Sequence, residues 1–242
     1  MSEQTPTAEH PGEAHDQAGS GNRLNRLRAA VLGANDGIVS EAGLVVGVAG
    51  ATTDRTTLLT AGLAGLVAGA VSMSLGEYVS VSSQRDAEQE LLAKERRELA
   101  EDPEAELMEL AELYEQKGLT PQTARQVAEE LTATDALAAH AETELHIDPD
   151  DLLNPLTAGT ASAVAFVLGA LLPLLAITLP PSGARVALAV VVTLLALALT
   201  GWLSARAGRS DARRAVLRVV IGGSIGLAIT YGIGNLTGAA VS

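Results

Sequence analysis

The sequence contains no cysteine and very few aromatic residues. The absence of Cys among 242 residues excludes disulfides, thiolate metal sites and cysteine nucleophiles. Only 2% of residues are Phe, Trp or Tyr, so a water-soluble core would have to consist almost wholly of Ala, Leu, Val and Gly. Lysine is scarce as well, since 14 of the 16 basic residues are Arg. This bias, with the many Ala, Gly and Leu residues, is typical of a high-GC bacterial genome.

The chain is both acidic and apolar, and the two properties lie in different segments. Its net charge is −13 and its mean hydropathy is +0.25. Residues 83–151 contain 20 acids and 6 bases, a net charge of −14, so the rest of the chain is close to neutral. A chain this acidic is a poor ligand for nucleic acid phosphates.

Five apolar stretches lie outside the acidic segment. Each reaches the roughly 20 residues that a helix needs to cross a bilayer. The sequence therefore predicts an all-α membrane protein with five transmembrane helices, two before the acidic segment and three after it. The stretches are 29–51, 57–82, 155–179, 184–205 and 215–238.

The N-terminal residues 1–22 are polar and rich in Pro, Gly and Ser, and they lack the basic segment of a secretory signal. They predict a disordered tail, in which His10 and His15 are expected to bind nothing. The remaining predicted boundaries are 23–82 for the first two spans, 83–151 for the acidic domain and 152–242 for the last three spans.

Arginine is concentrated at one side of the predicted spans, whereas the connections 52–56 and 180–183 contain only Arg55. Because basic residues favour the cytoplasmic side, we expect the N-terminus and residues 83–151 in the cytoplasm and the C-terminus outside a cell membrane. The flanking arginines are Arg23, Arg26 and Arg28 before the first span, and Arg206, Arg209, Arg213 and Arg214 between the fourth and the fifth.

The acidic segment carries start and stop signals for three helices. Residues 83–100 lack Gly and Pro, so the second span is expected to continue until Pro103. Asp102 before Pro103 and Gly118 predict a helix over 103–117. Thr120 and Pro121 repeat the start signal, which predicts a third helix from 121 to about 146.

The carboxylates of this segment come in pairs on helical faces. Glu95 and Glu98, and Glu106 and Glu109, are three residues apart, and His140 lies four residues before Glu144. Like charges this close are relieved by a cation or by solvent. Carboxylate and imidazole ligands suit Fe(II), Mn(II), Zn(II) or Co(II), but a solvated acidic face gives the same pattern.

Three acids fall inside predicted spans, where a carboxylate normally faces a cavity, a partner or a transported ion. Asp36 is flanked by glycines in GANDGIVSEAGL, and Glu77 follows Met73 by one turn in SMSLGEYVS. The Met73 thioether next to a carboxylate favours a transition metal. Competition between metal and proton for such a site is the minimum chemistry of a proton-coupled antiporter. Glu41 lies five residues after Asp36, so we expect it to point elsewhere and assign it no role.

From Leu27 onward the sequence resembles the vacuolar iron transporter family, most specifically in LRAAVLGANDGIVS and AGAVSMSLGEYVSV. The resemblance implies a homodimer that exports Fe(II), and often Mn(II), from the cytosol in exchange for protons. It also implies that Asp36 and Met73 lie on the ion path and that Gly65 replaces a second acid. The paired glutamates Glu95, Glu98, Glu106 and Glu109 match the cytoplasmic metal-binding pattern of the family.

The chain departs from the family in the last helix of the insertion. His140 and Ala141 stand where the family has two methionines, whereas Glu144 keeps the acid. An imidazole in place of thioethers is expected to favour harder or borderline ions.

From the spans, the acids within them and the family resemblance, we predict a transporter, not an enzyme, with no resident cofactor. A metal sensor without transport activity and a membrane-anchored ferroxidase are the alternatives.

Overall fold

The structure is a computed structural model that describes the backbone of residues 17–208 and 210–241 and the side chains of 30–208 and 210–240. The predicted tail up to residue 16, with His10 and His15, and the side chains of Arg23, Arg26, Arg28 and Arg209 lie outside the described residues. Residues 17–22, which the sequence assigns to the tail, belong to the first helix. The helices are α1 (Gln17–Ala51), α2 (Arg55–Glu101), α3 (Pro103–Gln116), α4 (Pro121–His140), α5 (Pro155–Thr178), α6 (Arg185–Ala207) and α7 (Ala212–Val241).

The prediction of an all-α protein with five membrane-spanning helices is confirmed. Five helices are long and apolar enough to cross a bilayer, within α1, α2, α5, α6 and α7. Their outward faces are apolar: Ile221, Ile225, Ile229 and Ile233 recur every four residues along α7 and are each 55–57% exposed. Continuous apolar surface of this kind suits lipid contact rather than water. Helix α2 has 47 residues, more than twice the roughly 20 that a bilayer requires, so its charged part beyond residue 82 lies outside the hydrocarbon.

The chain divides into two compact units. One comprises the residues up to 73 and those from 161 onward, and the other comprises residues 74–160. Within the first unit, glycines allow the helices to pack at short distance, as is common in membranes. A Cβ at Gly37 would overlap the backbone of Phe166 on α5, and a Cβ at Gly234 on α7 would overlap the backbone of Gly47 on α1.

Arg185 joins two connections of this first unit. Its Nε donates to the carbonyl of Pro180 at 3.0 Å, and its Nη1 donates to the carbonyl of Thr53 at 2.9 Å. The α1–α2 connection and the α5–α6 connection therefore lie at the same end of the helices. This agrees with the alternating course of five consecutive spans.

The second unit forms from the charged part of α2, from α3 and from α4 with the turn that follows it. The Asp102 carboxylate caps α3 by accepting from the Ala105 amide at 3.1 Å, and Gly118 ends this segment with a φ of 100°, a conformation that favours glycine. The predicted third helix from 121 to about 146 corresponds to α4 and the turn after it, but it is not a regular α-helix. The backbone breaks at Asp135, and residues Ala141–Leu145 form a π-helical turn.

Replacing Gly37 with Ala should destabilise the first unit, because the added methyl group overlaps backbone atoms, which cannot rotate away as a side chain can. We expect a loss of about 1–3 kcal/mol in the free energy of unfolding, seen as a lower melting temperature of the purified protein in detergent. Gly222→Ala is the matched control, since a Cβ at Gly222 meets no described atom within 4 Å. Equal melting temperatures for the two variants would contradict this account of the packing.

Candidate metal centre

His140 is the most unusual side chain of the second unit. It is fully buried, with a side-chain exposure of 0%, and neither of its ring nitrogens has a hydrogen-bond partner among the described residues. A buried polar atom without a partner costs about 1–3 kcal/mol, and such atoms are rare in folded proteins. The position therefore requires a proton shared with a neighbouring acid or a ligand that is not part of the chain.

The sequence before His140 explains how the ring is turned inward. Asp135 has an extended backbone (φ −157°, ψ 100°), and its carboxylate accepts from the Ala138 amide at 2.9 Å, as an N-cap does. The segment after Asp135 is thus a new helical turn with its own direction. It buries Ala139 and His140.

The turn after His140 is equally irregular. Residues Ala141–Leu145 are π-helical, and the turn ends at His146 with a left-handed φ of 55°. Single π turns in α-helices are common at functional sites. The wider turn places Glu144 beside His140, with 3.7 Å between Oε2 of Glu144 and Nδ1 of His140.

Three carboxylates from different elements surround the His140 ring. The distances from Nδ1 are 3.0 Å to Oε1 of Glu95 on α2, 3.7 Å to Oε2 of Glu106 on α3 and 3.7 Å to Oε2 of Glu144. The 3.0 Å approach does not have hydrogen-bond geometry, since Nδ1 and Oε1 of Glu95 both lack a partner among the residues described. These polar atoms therefore lie close together without forming hydrogen bonds that would satisfy His140 Nδ1 or Glu95 Oε1.

This spacing suits a metal ion. Ligand atoms of Glu95, His140 and Glu144 all lie within 4.8 Å of one another. Atoms bound about 2.1 Å from one ion are separated by about 3.0–3.4 Å at neighbouring positions of an octahedron or tetrahedron. The donor set of carboxylates and one imidazole fits Fe(II), Mn(II), Zn(II) or Co(II), and a divalent ion would neutralise two of the negative charges.

The electrostatics of the cluster favour the binding of a cation. Burial, and after it repulsion from Glu144, Glu106, Glu98 and Glu109, together raise the pKa of Glu95 to about 7. Burial also raises the pKa of Glu106, with Glu109 as the next contributor. A bound divalent ion would reverse both effects by favouring the ionised carboxylates.

The remaining two predicted ligands, Glu98 and Glu109, lie at the edge of the cluster. Glu98 forms an ion pair with Lys94 at 2.7 Å, on the side of α2 that is open to solvent. Glu109 is exposed, although its charge acts on Glu95 and Glu106. The structure thus gathers four of the six predicted side chains around one point and places two where they add negative charge at the rim.

The first unit contains a second polar site, a cavity of about 230 Å³. Asp36 and Met73, two of the predicted path residues, line this cavity. Glu41 on α1, Phe166 on α5 and other residues of α1 and α2 line it as well. Glu77 lies one turn further along α2, in the second unit, and is half-buried. The Ser40 hydroxyl on the cavity wall donates to the Asp36 carbonyl at 2.6 Å.

Glu41 is a residue of this cavity that is not predicted from the sequence. From the sequence it is assigned no role, but Glu41 and Asp36 line the same cavity, in which Glu41 is buried and Asp36 is exposed. Asp36, Ser40 and Leu44 form one face of α1, and Glu41 borders that face. The usable signal in the sequence is the polarity itself, since an acid within an apolar span requires a cavity or a partner.

Taken together, these features define a multi-span membrane protein with a buried carboxylate and imidazole site in a helical insertion. The VIT family profile matches residues 27–235, and the chain belongs to this family. It is 43% identical over 212 residues to the "Vacuolar iron transporter" of Acanthamoeba castellanii, covering 87% of this chain and 78% of that protein. It is 36% identical over 217 residues to "Vacuolar iron transporter homolog 4" of Arabidopsis thaliana, covering 89% and 86% of the two chains.

Metal binding at this centre should weaken as the pH falls below 7. Glu95 is mostly protonated below its pKa of about 7, and the ion must displace that proton. We expect the apparent affinity for Mn(II) to drop about tenfold per pH unit between pH 7 and pH 5.5, measured by equilibrium titration of the purified protein. Glu95→Gln should lower the affinity and reduce this slope.

The matched control is Glu112→Gln, which removes an exposed carboxylate from the same unit and should leave affinity and slope unchanged. An affinity that does not vary with pH, or a Glu95→Gln protein that titrates like the unmodified one, would remove Glu95 from the centre.

Proposed function

We propose that the protein exports Fe(II), Mn(II) or both from the cytoplasm in exchange for protons, as a homodimer in the cell membrane. Its family membership supports iron as a substrate, since the relatives named above carry iron transporter names. The five spans provide the membrane path. The arginine distribution supports a cytoplasmic insertion and an external C-terminus. The transporter names of these relatives are consistent with our prediction that the protein is not an enzyme.

The observation that carries this proposal is the buried His140 ring, whose two nitrogens have no partner among the described residues and whose Nδ1 lies near carboxylates from three elements. In the proposed cycle, Glu95, Glu106, His140 and Glu144 capture the ion. Glu98 and Glu109 at the rim raise its local concentration. The negative charge of residues 83–151 acts in the same direction by attracting cations.

The proposed path through the membrane uses Asp36, Met73 and Glu77. Asp36 and Met73 share one cavity, and a carboxylate with a thioether selects transition metals over Mg(II) and Ca(II). Protons compete with the metal for the same carboxylates, so the proton gradient provides the driving force for release. With His140 in the capture site, we expect Mn(II) to compete well with Fe(II), because imidazole is a harder ligand than a thioether.

Asp36→Asn should abolish transport and leave metal capture intact, because it removes a charge from the path but not from the insertion. The measurement is Mn(II) or Fe(II) entry into proteoliposomes that contain a metal-quenched dye, with an imposed proton gradient and an internal pH probe. Unchanged flux in this variant would exclude Asp36 from the path. Metal binding by the unmodified protein without any entry would instead indicate a sensor, and oxygen consumption on Fe(II) addition would indicate a ferroxidase.

His140→Ala should affect capture rather than translocation. We expect KM for Mn(II) to rise at least about tenfold, as for the loss of a metal-site residue, with kcat within about twofold of the unmodified protein. Glu112→Gln serves as the control from the same unit. A fall in kcat at unchanged KM would show that His140 acts in translocation and would contradict its role in capture.

A further inference from the structure

We propose that Glu41 is a ligand of the transported divalent ion inside the membrane and forms, with Asp36 and Met73, one binding site in the cavity of the first unit. This inference rests on the proposed function but concerns a residue outside the predicted path. It assigns the ion two carboxylates from α1 and a thioether from α2.

The burial of Glu41 is the first observation. The residue is 1% exposed, and its Oε1 has no hydrogen-bond partner within the described part of the chain. It is also a wall residue of the 230 Å³ cavity that Asp36 and Met73 line. A carboxylate that makes no contact with a donor or a cation is costly in an apolar span, so a stabilising partner is expected to enter the cavity.

The second observation is that α2 leaves space for this carboxylate. A Cβ at Gly62 would lie 2.8 Å from Oε1 of Glu41, and a Cβ at Gly65 would lie 3.1 Å from Oε2. Both distances are shorter than ordinary van der Waals contacts. A side chain at either position would require the Glu41 carboxylate and a neighbouring leucine to shift, so the two glycines leave the space that the carboxylate occupies.

The donor set has a definite chemical preference. Two carboxylates carry the charge that neutralises one divalent ion, and the Met73 thioether favours Fe(II), Mn(II) or Co(II) over Mg(II) or Ca(II). Ser72 lines the same wall and adds a hydroxyl oxygen. These protein ligands would offset the cost of removing the ion from water.

The first test compares transport with stability. Glu41→Gln keeps the shape of the side chain and removes its charge, so we expect uptake of Mn(II) into proteoliposomes to fall at least about tenfold. The melting temperature should stay the same or rise, because a neutral amide is less costly than a carboxylate in this position. Uptake within twofold of the unmodified protein would overturn the proposal. So would a variant that no longer folds, since it would show a structural role for the carboxylate.

The second test displaces the carboxylate without removing it. Gly65→Ala places a methyl group beside Oε2 of Glu41 and against the Leu44 side chain, and we expect a clear loss of uptake. Gly222→Ala is the control on another span. Equal uptake by these two alanine variants would contradict the proposed position of the ligand.

The third test separates this inference from the proposed function. The protein for this test carries Glu95→Gln and His140→Ala, which remove metal binding at the insertion site. Its remaining Mn(II) binding is measured from the decrease in the electron paramagnetic resonance signal of free Mn(II). Adding Glu41→Gln should weaken the remaining binding at least about tenfold. Identical titrations with and without Glu41→Gln would overturn the inference, whatever the flux. Binding that depends on Glu41 in a protein without flux would refute transport alone.

Discussion

A buried carboxylate or imidazole that has no hydrogen-bond partner within the protein is the constraint on which this structure depends. Removing such a group from water is costly unless a proton or a cation compensates. Among the side chains that the structure describes, this situation occurs twice, at His140 and Glu95 in the second unit and at Glu41 in the first. In both places the unpartnered atoms belong to residue types that bind divalent transition metals. The same physical requirement therefore supports both the proposed capture site in the insertion and the proposed ion path within the membrane.

The scaffold produces each site by a local departure from regular packing. In the second unit, Asp135 interrupts α4 and the π turn widens the helix, so that His140 meets carboxylates from α2 and α3. In the first unit, glycines on α2 leave room for an acid from α1. The family resemblance implies an acid at position 65, and here the carboxylate of Glu41 occupies the space beside Gly65. A carboxyl group beside α2 is thus retained, although the side chain that provides it comes from a different helix.

Much of the fold is predictable from the sequence, because the length of an apolar run and the Pro and Gly signals at helix ends are local properties. The five spans, the continuation of α2 to Glu101 and the caps at Asp102 and Gly118 follow from such signals. The break at Asp135 does not, because no Gly or Pro marks it and the N-cap signal lies within an otherwise helical pattern. Helical spacing pairs Glu106 with Glu109, but Glu106 is buried beside His140 and Glu109 is exposed. Glu41 is missed for a similar reason, since its environment is set by glycines on another helix.

The most direct test of the central claim is an anomalous difference map from crystals of the protein grown with Mn(II). The account predicts one peak between His140, Glu95 and Glu144, and a second peak in the cavity beside Asp36, Glu41 and Met73. Ligand distances near 2.1–2.2 Å are expected at both sites, as for other divalent transition metals. Anomalous density for Mn(II) only at exposed carboxylates, with no peak at either buried cluster, would contradict the claim that these clusters bind metal.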